Sequence, residues 1–191
     1  EKLNIDFKDI FKYLILLIVI FTTIKYHIRF NENRKFHELA DIDFSKAIES
    51  KKLDKSLEGI QWISPYFLDD PSNEINILRE IKYEINNSKN KIMVITHYSF
   101  LDSITSKKLN SPSRTHTTDG ASIPMKGNKY FKDYKKYIER KIKEKKIEKI
   151  YFLKFEKLST KIISEYLERN CYIKSHDKLF IKFKIEKNCY N

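Results

Sequence analysis

The longest apolar stretch lies near the start of the chain. Residues 13–24 (YLILLIVIFTTI) carry no charge, and a snorkelling Lys12 with the two apolar residues before it extends the run to about the lower limit for crossing a bilayer. Tyrosines stand at both ends, where interfacial aromatics belong. We predict a membrane-proximal flank at 1–9 and a transmembrane helix at 10–26, with a cleaved signal peptide or a buried core helix as alternatives. Because the chain opens on Glu1 and at once approaches this segment, we also expect more protein upstream.

After this segment, we predict a helical junction at 27–56 and a soluble α/β domain at 57–191. In the domain, short apolar runs typical of strands alternate with patterns of helical period. The predicted strands are 59–65, 91–96, 149–155 and 179–186, and the predicted helices are 70–86, 129–145 and 158–169. This alternation favours a mainly parallel, Rossmann-like sheet with helices on its faces and an antiparallel strand at its C-terminal edge.

Ligands of open α/β sheets bind beyond the carboxyl ends of the strands. Those ends carry Ser64, Tyr66, Thr96, His97, Tyr98 and Glu156. A long loop at 110–128 follows the second strand, and loops of that length are often functional. The candidate ligand or partner contacts are His97, Tyr98, Arg114, His116 and Asp119. Purely structural roles stay open for three of these residues. His97 can be a hydrogen-bonded core residue, Asp119 can form a turn with the next glycine, and Arg114 can hold the loop in place by pairing with a carboxylate.

Familiar catalytic signatures are missing from the sequence. It has no GxGxxG, P-loop, GxSxG or HExxH motif, which disfavours dinucleotide, kinase and hydrolase functions. No cofactor is expected, and no metal site either, because Cys171 and Cys189 lack the paired spacing of a zinc site. A simple hairpin turning at 176–178 would place Cys171 opposite a residue near Phe183, so a disulfide with Cys189 needs a bulge or a different pairing.

The chain is strongly basic, with a formal net charge of +12. Only 6 of its 38 basic residues are Arg, whereas nucleic-acid sites depend on Arg for bidentate contacts. We therefore expect no nucleic-acid partner. The expected partners are the lipid bilayer and, at the lysine-rich faces, anionic headgroups or a glycan acceptor. Lysines and arginines just after the apolar segment give a weak cytoplasmic preference for the domain.

Several phrases carry a family resemblance: GIQWISP, KIMVITHYSFL, SPSRTHTTDGASIPMKGNKYF and KIEKIYFL, after the apolar segment. With them the chain resembles the C-terminal end of polytopic bacterial proteins similar to membrane glycosyltransferases of the GT-C superfamily. The resemblance implies an inner-membrane protein that transfers sugar from a lipid-phosphate donor, with a periplasmic α/β domain after its last helix. That family's catalytic acidic residues lie in early membrane loops, so the catalytic residues remain unknown here, and this part is not expected to be catalytic by itself.

Two other functions stay open. One is a single-pass, membrane-anchored binding or scaffolding module whose loop 111–127 recognises a partner. The other is a basic nucleic-acid-binding domain, which the apolar segment disfavours.

Overall fold

The computed structural model of the protein describes residues 7–33, 42–114, 122–186 and 189. Its helices are α1 (Phe7–His27), α2 (Pro71–Asn87), α3 (Leu101–Ile104), α4 (Phe131–Lys145) and α5 (Lys161–Tyr166). Its strands are β1 (Ile48–Glu49), β2 (Gln61–Trp62), β3 (Ile92–Ile95), β4 (Lys149–Leu153), β5 (Tyr172–His176) and β6 (Phe180–Ile185). The chain divides into two compact units, one holding 1–47 and 63–69 and the other 48–62 and 70–191.

Helix α1 belongs to the first unit and presents an apolar surface on all sides. None of its residues is buried, and every position from Tyr13 to Phe21 is apolar and between 45% and 69% exposed. Since a helix turns once in about 3.6 residues, these positions surround its axis. A π-helical turn, Ile28–Asn33, follows directly.

Helix α1 lies where the transmembrane helix at 10–26 was predicted, but it does not have the properties of a membrane span. Of the helices in the described part of the chain, none is long and apolar enough to cross a membrane. The uncharged run 13–24 rises by about 18 Å, against about 30 Å for a hydrocarbon core. Lys8, Asp9 and Lys12 interrupt the turns before it.

The second unit is a mixed α/β fold, so the predicted fold class is confirmed at that level. Its main sheet has the strand order β3-β4-β6-β5. The prediction of a mainly parallel sheet is wrong, because β3 and β4 are parallel while β4–β6 and β5–β6 are antiparallel. The segment expected to be the first strand of this sheet contains β2, which instead pairs antiparallel with β1 in a separate two-stranded sheet.

The last strand is also not at the edge of the sheet. β6 lies between β4 and β5, and its Phe180, Phe183 and Ile185 side chains are buried. β5 takes the edge instead, and most of its side chains are exposed.

Helices cover both faces of the sheet. The side chains of β3 are all buried and alternate between two apolar clusters: Ile92 and Val94 pack with α2, and Met93 and Ile95 pack with α4 and α5. Helix α2 confirms its prediction closely. The Asp70 carboxylate accepts a hydrogen bond from the Asn73 N–H at 3.0 Å and caps the helix, with Pro71 in its first turn.

The cysteines form the disulfide Cys171–Cys189, with their Cα atoms 5.6 Å apart. The expected register was wrong, since Phe183 pairs with Lys174 and Tyr172 pairs with Ile185. The Asp177 carboxylate accepts hydrogen bonds from the N–H groups of Leu179 and Phe180, which fixes a turn later than the predicted one. Cys171 therefore meets the chain after β6 has ended, and no bulge is needed.

We expect Cys189→Ser to lower the free energy of unfolding by about 3 kcal/mol, because the disulfide closes a loop across a sequence separation of 18. This substitution leaves the buried Cys171 in its place, so core packing is kept. Urea denaturation measures the loss, and reduced wild-type protein is the matched control. Equal midpoints for oxidised and reduced wild-type protein would contradict the prediction.

Candidate ligand-binding site

The carboxyl ends of β3 and β4 are joined by one buried carboxylate. Parallel pairing sets Ile95 opposite Phe152, so the chain leaves both strands at the same edge of the sheet. There Glu156 Oε1 accepts hydrogen bonds from the Thr96 hydroxyl at 2.9 Å and from the His97 N–H at 2.7 Å. The Thr96 hydroxyl oxygen in turn accepts the N–H of Tyr98 at 3.0 Å. Glu156 thus fixes the loop that follows β3.

The environment of Glu156 favours a proton on its carboxyl group. Burial raises the pKa of Glu156 to about 7, against hydrogen bonds from His97, Thr96 and Tyr98 that lower it. Glu156 is 5% exposed, and its Oε2 atom has no hydrogen-bond partner among the described residues. A proton on Oε2 would relieve the cost of a buried charge.

A second buried carboxylate, Glu74, sits in the first turn of α2 and is fully inaccessible. It accepts hydrogen bonds from the Trp62 indole N–H at 2.9 Å and from the Tyr98 hydroxyl. The Tyr98 ring lies 6.2 Å from the Trp62 ring and 5.4 Å from that of Phe155, measured between centroids. Tyr98, expected as a ligand contact, is therefore a buried link in this cluster.

The edge of β3 is closed by the chain segment that follows α3. The Val94 N–H donates to the Leu109 carbonyl at 2.8 Å, and the Ser111 hydroxyl donates to the Val94 carbonyl at 2.6 Å. The Asn110 side-chain amide donates to the Ile92 carbonyl at 2.9 Å, and Asn110 itself has a φ of 49°, in the left-handed region that Asn tolerates. These bonds hold the residues around 108–114 beside the end of the strand.

A cavity of about 610 Å³ opens at this place, between the end of β3, segment 108–114 and helix α4. Its hydroxyl groups come from Thr96, Ser99, Ser111, Ser113 and Tyr137. Its charged lining residues are Asp102, Lys108, Arg114 and Lys141. The lining thus combines residues that carry hydroxyl groups with an excess of positive charge, a combination that suits a small anionic ligand.

A larger cleft of about 1080 Å³ lies along α2, away from the strand ends. Two of its three lining cations pair with acidic neighbours, Lys82 with Asp54 and Lys178 with Glu80 at 2.8 Å, and the lining also holds Glu84 and Asp177 beside Arg79. Its contacts fasten α2 to neighbouring segments. We therefore place the candidate site at the smaller cavity.

The sequence-predicted contacts are only partly brought together. Arg114 lines the cavity, whereas His97 lies next to a lining residue, is half-buried, and has a pKa lowered by burial. His116 and Asp119 fall outside the described residues. Ser64 and Tyr66 belong to the other unit, where the Tyr66 N–H donates to the Ser64 hydroxyl at 3.2 Å.

Sequence reasoning missed Lys108, Lys141 and Glu74 as residues of interest. Lys141 had a usable signal, because it lies four positions after Tyr137 and shares the inward stripe of α4. Glu74 had none, since an acidic residue in the first turn of a helix ordinarily faces solvent. In the described part of the chain, no three His, Cys, Asp or Glu side chains converge to hold a metal ion.

Comparisons of the chain with protein-family models, with curated proteins and with solved structures give no match.

We expect Glu156→Gln to remove a pH dependence of stability. The carboxyl has a pKa of about 7 in the folded state and 4.5 as its ordinary value, so the folded state holds the proton more tightly. Wild-type stability conferred by this group is full below pH 4.5, falls as the pH rises towards 7 and then levels off. The unfolding free energy of Glu156→Gln minus that of the wild type should rise by about 3 kcal/mol across this window. A constant difference in urea titrations from pH 4 to 8 would contradict the raised pKa.

We expect Tyr98→Phe to cost about 1–3 kcal/mol, because it removes a donor from the buried Glu74 carboxylate. Tyr83→Phe is the matched control: Tyr83 lies on α2, is 67% exposed and should change stability by less than about 0.5 kcal/mol. Thermal unfolding of both variants measures the difference. Equal melting temperatures would show that the Tyr98 hydroxyl carries no buried hydrogen bond.

Proposed function

We propose that this chain is the membrane-attached, extracytoplasmic α/β domain of a polytopic inner-membrane protein resembling GT-C glycosyltransferases. In this proposal α1 lies within the apolar layer of the membrane, and the cavity beside β3 binds an anionic donor or acceptor group. The single observation that carries the proposal is the apolar, fully unburied surface of α1.

The surface of α1 calls for an apolar cover. A helix with large apolar side chains on every side is stable when hydrocarbon or protein surrounds it. Water is an unfavourable surrounding for such a surface, because each exposed leucine or isoleucine forfeits about 1.5–3 kcal/mol of burial energy. Lys8, Lys12 and Lys25 flank the run and can reach phosphate headgroups from it. A lipid layer supplies both the apolar cover for the helix and the phosphate groups for the flanking lysines.

The Cys171–Cys189 disulfide supports the extracytoplasmic side. Disulfides persist in oxidising compartments such as the periplasm and are rare in the cytosol. The charges that flank the apolar segment favour the cytoplasmic side only weakly, whereas the disulfide lies in the folded domain itself and favours the extracytoplasmic side.

The transferase part of the proposal rests on the sequence resemblance. The order of an apolar helix before an α/β domain is the order that the resemblance implies, although α1 is not long and apolar enough to cross a membrane. The catalytic acidic residues of that family have no counterpart in this chain, so the domain would position a ligand for chemistry performed elsewhere in the protein.

A second candidate function is a membrane-anchored binding module that carries no transferase part. The cavity favours it, because a ligand site lined by hydroxyl groups and cations is sufficient for binding alone. The DNA sequence upstream of the codon for Glu1 distinguishes the two candidates. Many encoded apolar segments would support the transferase, and a start codon close to the Glu1 codon would support the binding module.

Membrane attachment can be tested with charges placed in α1. We expect the wild-type chain to float with phosphatidylcholine vesicles in a density gradient, and Leu17→Glu/Ile20→Glu to stay at the bottom, because each buried charge costs about 3 kcal/mol. Ile173→Glu, at a 54% exposed position of the edge strand, is the matched control and should float. Flotation of the Leu17/Ile20 variant would contradict the role of α1.

The transferase proposal predicts that the full-length protein transfers sugar from a polyprenyl-phosphate sugar to an acceptor. The assay follows radiolabelled sugar in membranes from cells that express the protein, compared with membranes from cells that lack it. Equal incorporation in the two preparations, with the protein present and folded, would reject the transferase and leave the binding module.

A further inference from the structure

The cavity beside β3 has a charge pattern that indicates one class of ligand. Three cations line it, Lys108, Arg114 and Lys141, against one carboxylate, that of Asp102. One oxygen of the Asp102 carboxylate already accepts a hydrogen bond from the Leu109 N–H at 2.8 Å, so this carboxylate is partly engaged with the backbone and not with the cations. The lining therefore keeps a local excess of positive charge.

Lys141 is the least solvated of these cations. Its ammonium group donates to the Ser111 carbonyl at 2.6 Å and to the Tyr137 hydroxyl at 3.2 Å, and it lies 5.5 Å from the centre of the Tyr137 ring. All three partners are neutral, and no carboxylate of the described residues pairs with it. A partly buried ammonium without a counter-ion is costly, and an anionic ligand would offset that cost.

Arg114 and Lys108 complete the positive side of the cavity. Both side chains are exposed, and neither pairs with a carboxylate among the described residues. An arginine fork matches two oxygens of a phosphate group, and a lysine adds a point charge. Ser99 and Ser113, which carry neutral hydroxyl groups, also line the cavity.

We propose that this cavity binds the phosphate group of a phosphorylated ligand. Three cations suit the two or more negative charges of a phosphate monoester or a pyrophosphate better than the single charge of a carboxylate. A volume of about 610 Å³ accommodates such a group with one attached sugar-sized unit. The inference rests on the proposed function for its membrane setting and deepens it by naming the ligand class.

The test compares two double variants of the full-length protein in a phosphate-free maltoside detergent. Arg114→Gln/Lys108→Gln removes two cavity cations, and Lys89→Gln/Lys132→Gln removes two exposed lysines outside the lining. Calorimetric titration uses inorganic pyrophosphate and a hexose 1-phosphate as soluble probes. A separate arm measures binding to phosphatidylcholine vesicles with and without phosphatidic acid.

We expect the wild type and the Lys89/Lys132 variant to bind a soluble probe, and the Arg114/Lys108 variant to bind it at least about tenfold more weakly, as the loss of charge-assisted hydrogen bonds implies. If only the response to phosphatidic acid depends on Arg114 and Lys108, the phosphate is borne by a lipid. Equal binding by both variants in every arm would overturn the inference.

Lys141→Met gives a second test, with thermal unfolding as a check on folding. It should weaken binding of the same probe about tenfold, and unchanged affinity in a folded variant would also contradict the site. Sugar transfer without phosphate binding would reject this inference alone, and phosphate binding without transfer would reject the transferase alone.

Discussion

The parallel pairing of β3 with β4 is the constraint on which the rest of the α/β unit depends. Every side chain of β3 is buried, so each face of this pair needs its own cover. Helix α2 covers one face, and helices α4 and α5 cover the other. Buried strands also require paired backbone groups along both edges. β6 satisfies one edge, and the segment at 109–111 closes the other.

The same pairing explains where polar chemistry collects. Two strands that run in one direction deliver their following residues to one edge, where Thr96 and Glu156 meet in a hydrogen bond. After this fixed loop, the chain passes through α3 and returns along β3 as segment 108–114. This returning segment forms one wall of the cavity. Helix α4 forms the opposite wall with Tyr137 and Lys141, whose hydrogen bonds reach the returning segment. The cavity is thus formed by segments that hydrogen bonds hold against the end of β3.

Local signals in the sequence predicted the best-defined elements. Helix α2 has a capping aspartate, an early proline and a regular apolar stripe, while β3 is an unbroken apolar run too short for a helix. Pairing was harder, because an apolar run does not say which strand it pairs with: β2 pairs with the two-residue strand β1 and not with the main sheet. The position of the turn after β5 depends on the Asp177 carboxylate, which accepts hydrogen bonds from Leu179 and Phe180. Of the residues predicted as contacts, Arg114 was chosen for its place in a long loop, and it lines the cavity beside β3. Lys141 was missed because a lysine on an amphipathic helix ordinarily belongs to the solvated face.

The functional proposal joins an uncovered apolar helix to a domain with a disulfide and a basic cavity. The most direct measurement is the redox state of Cys171 and Cys189 in membranes of cells that express the full-length protein, trapped with acid and labelled with a heavy maleimide. We expect the protein in the membrane fraction, with neither cysteine labelled before reduction and both labelled after it. Two labelled cysteines before reduction would place the domain in a reducing compartment. Recovery of the protein in the supernatant would show that it is not attached to the membrane. Either result would contradict the proposed function.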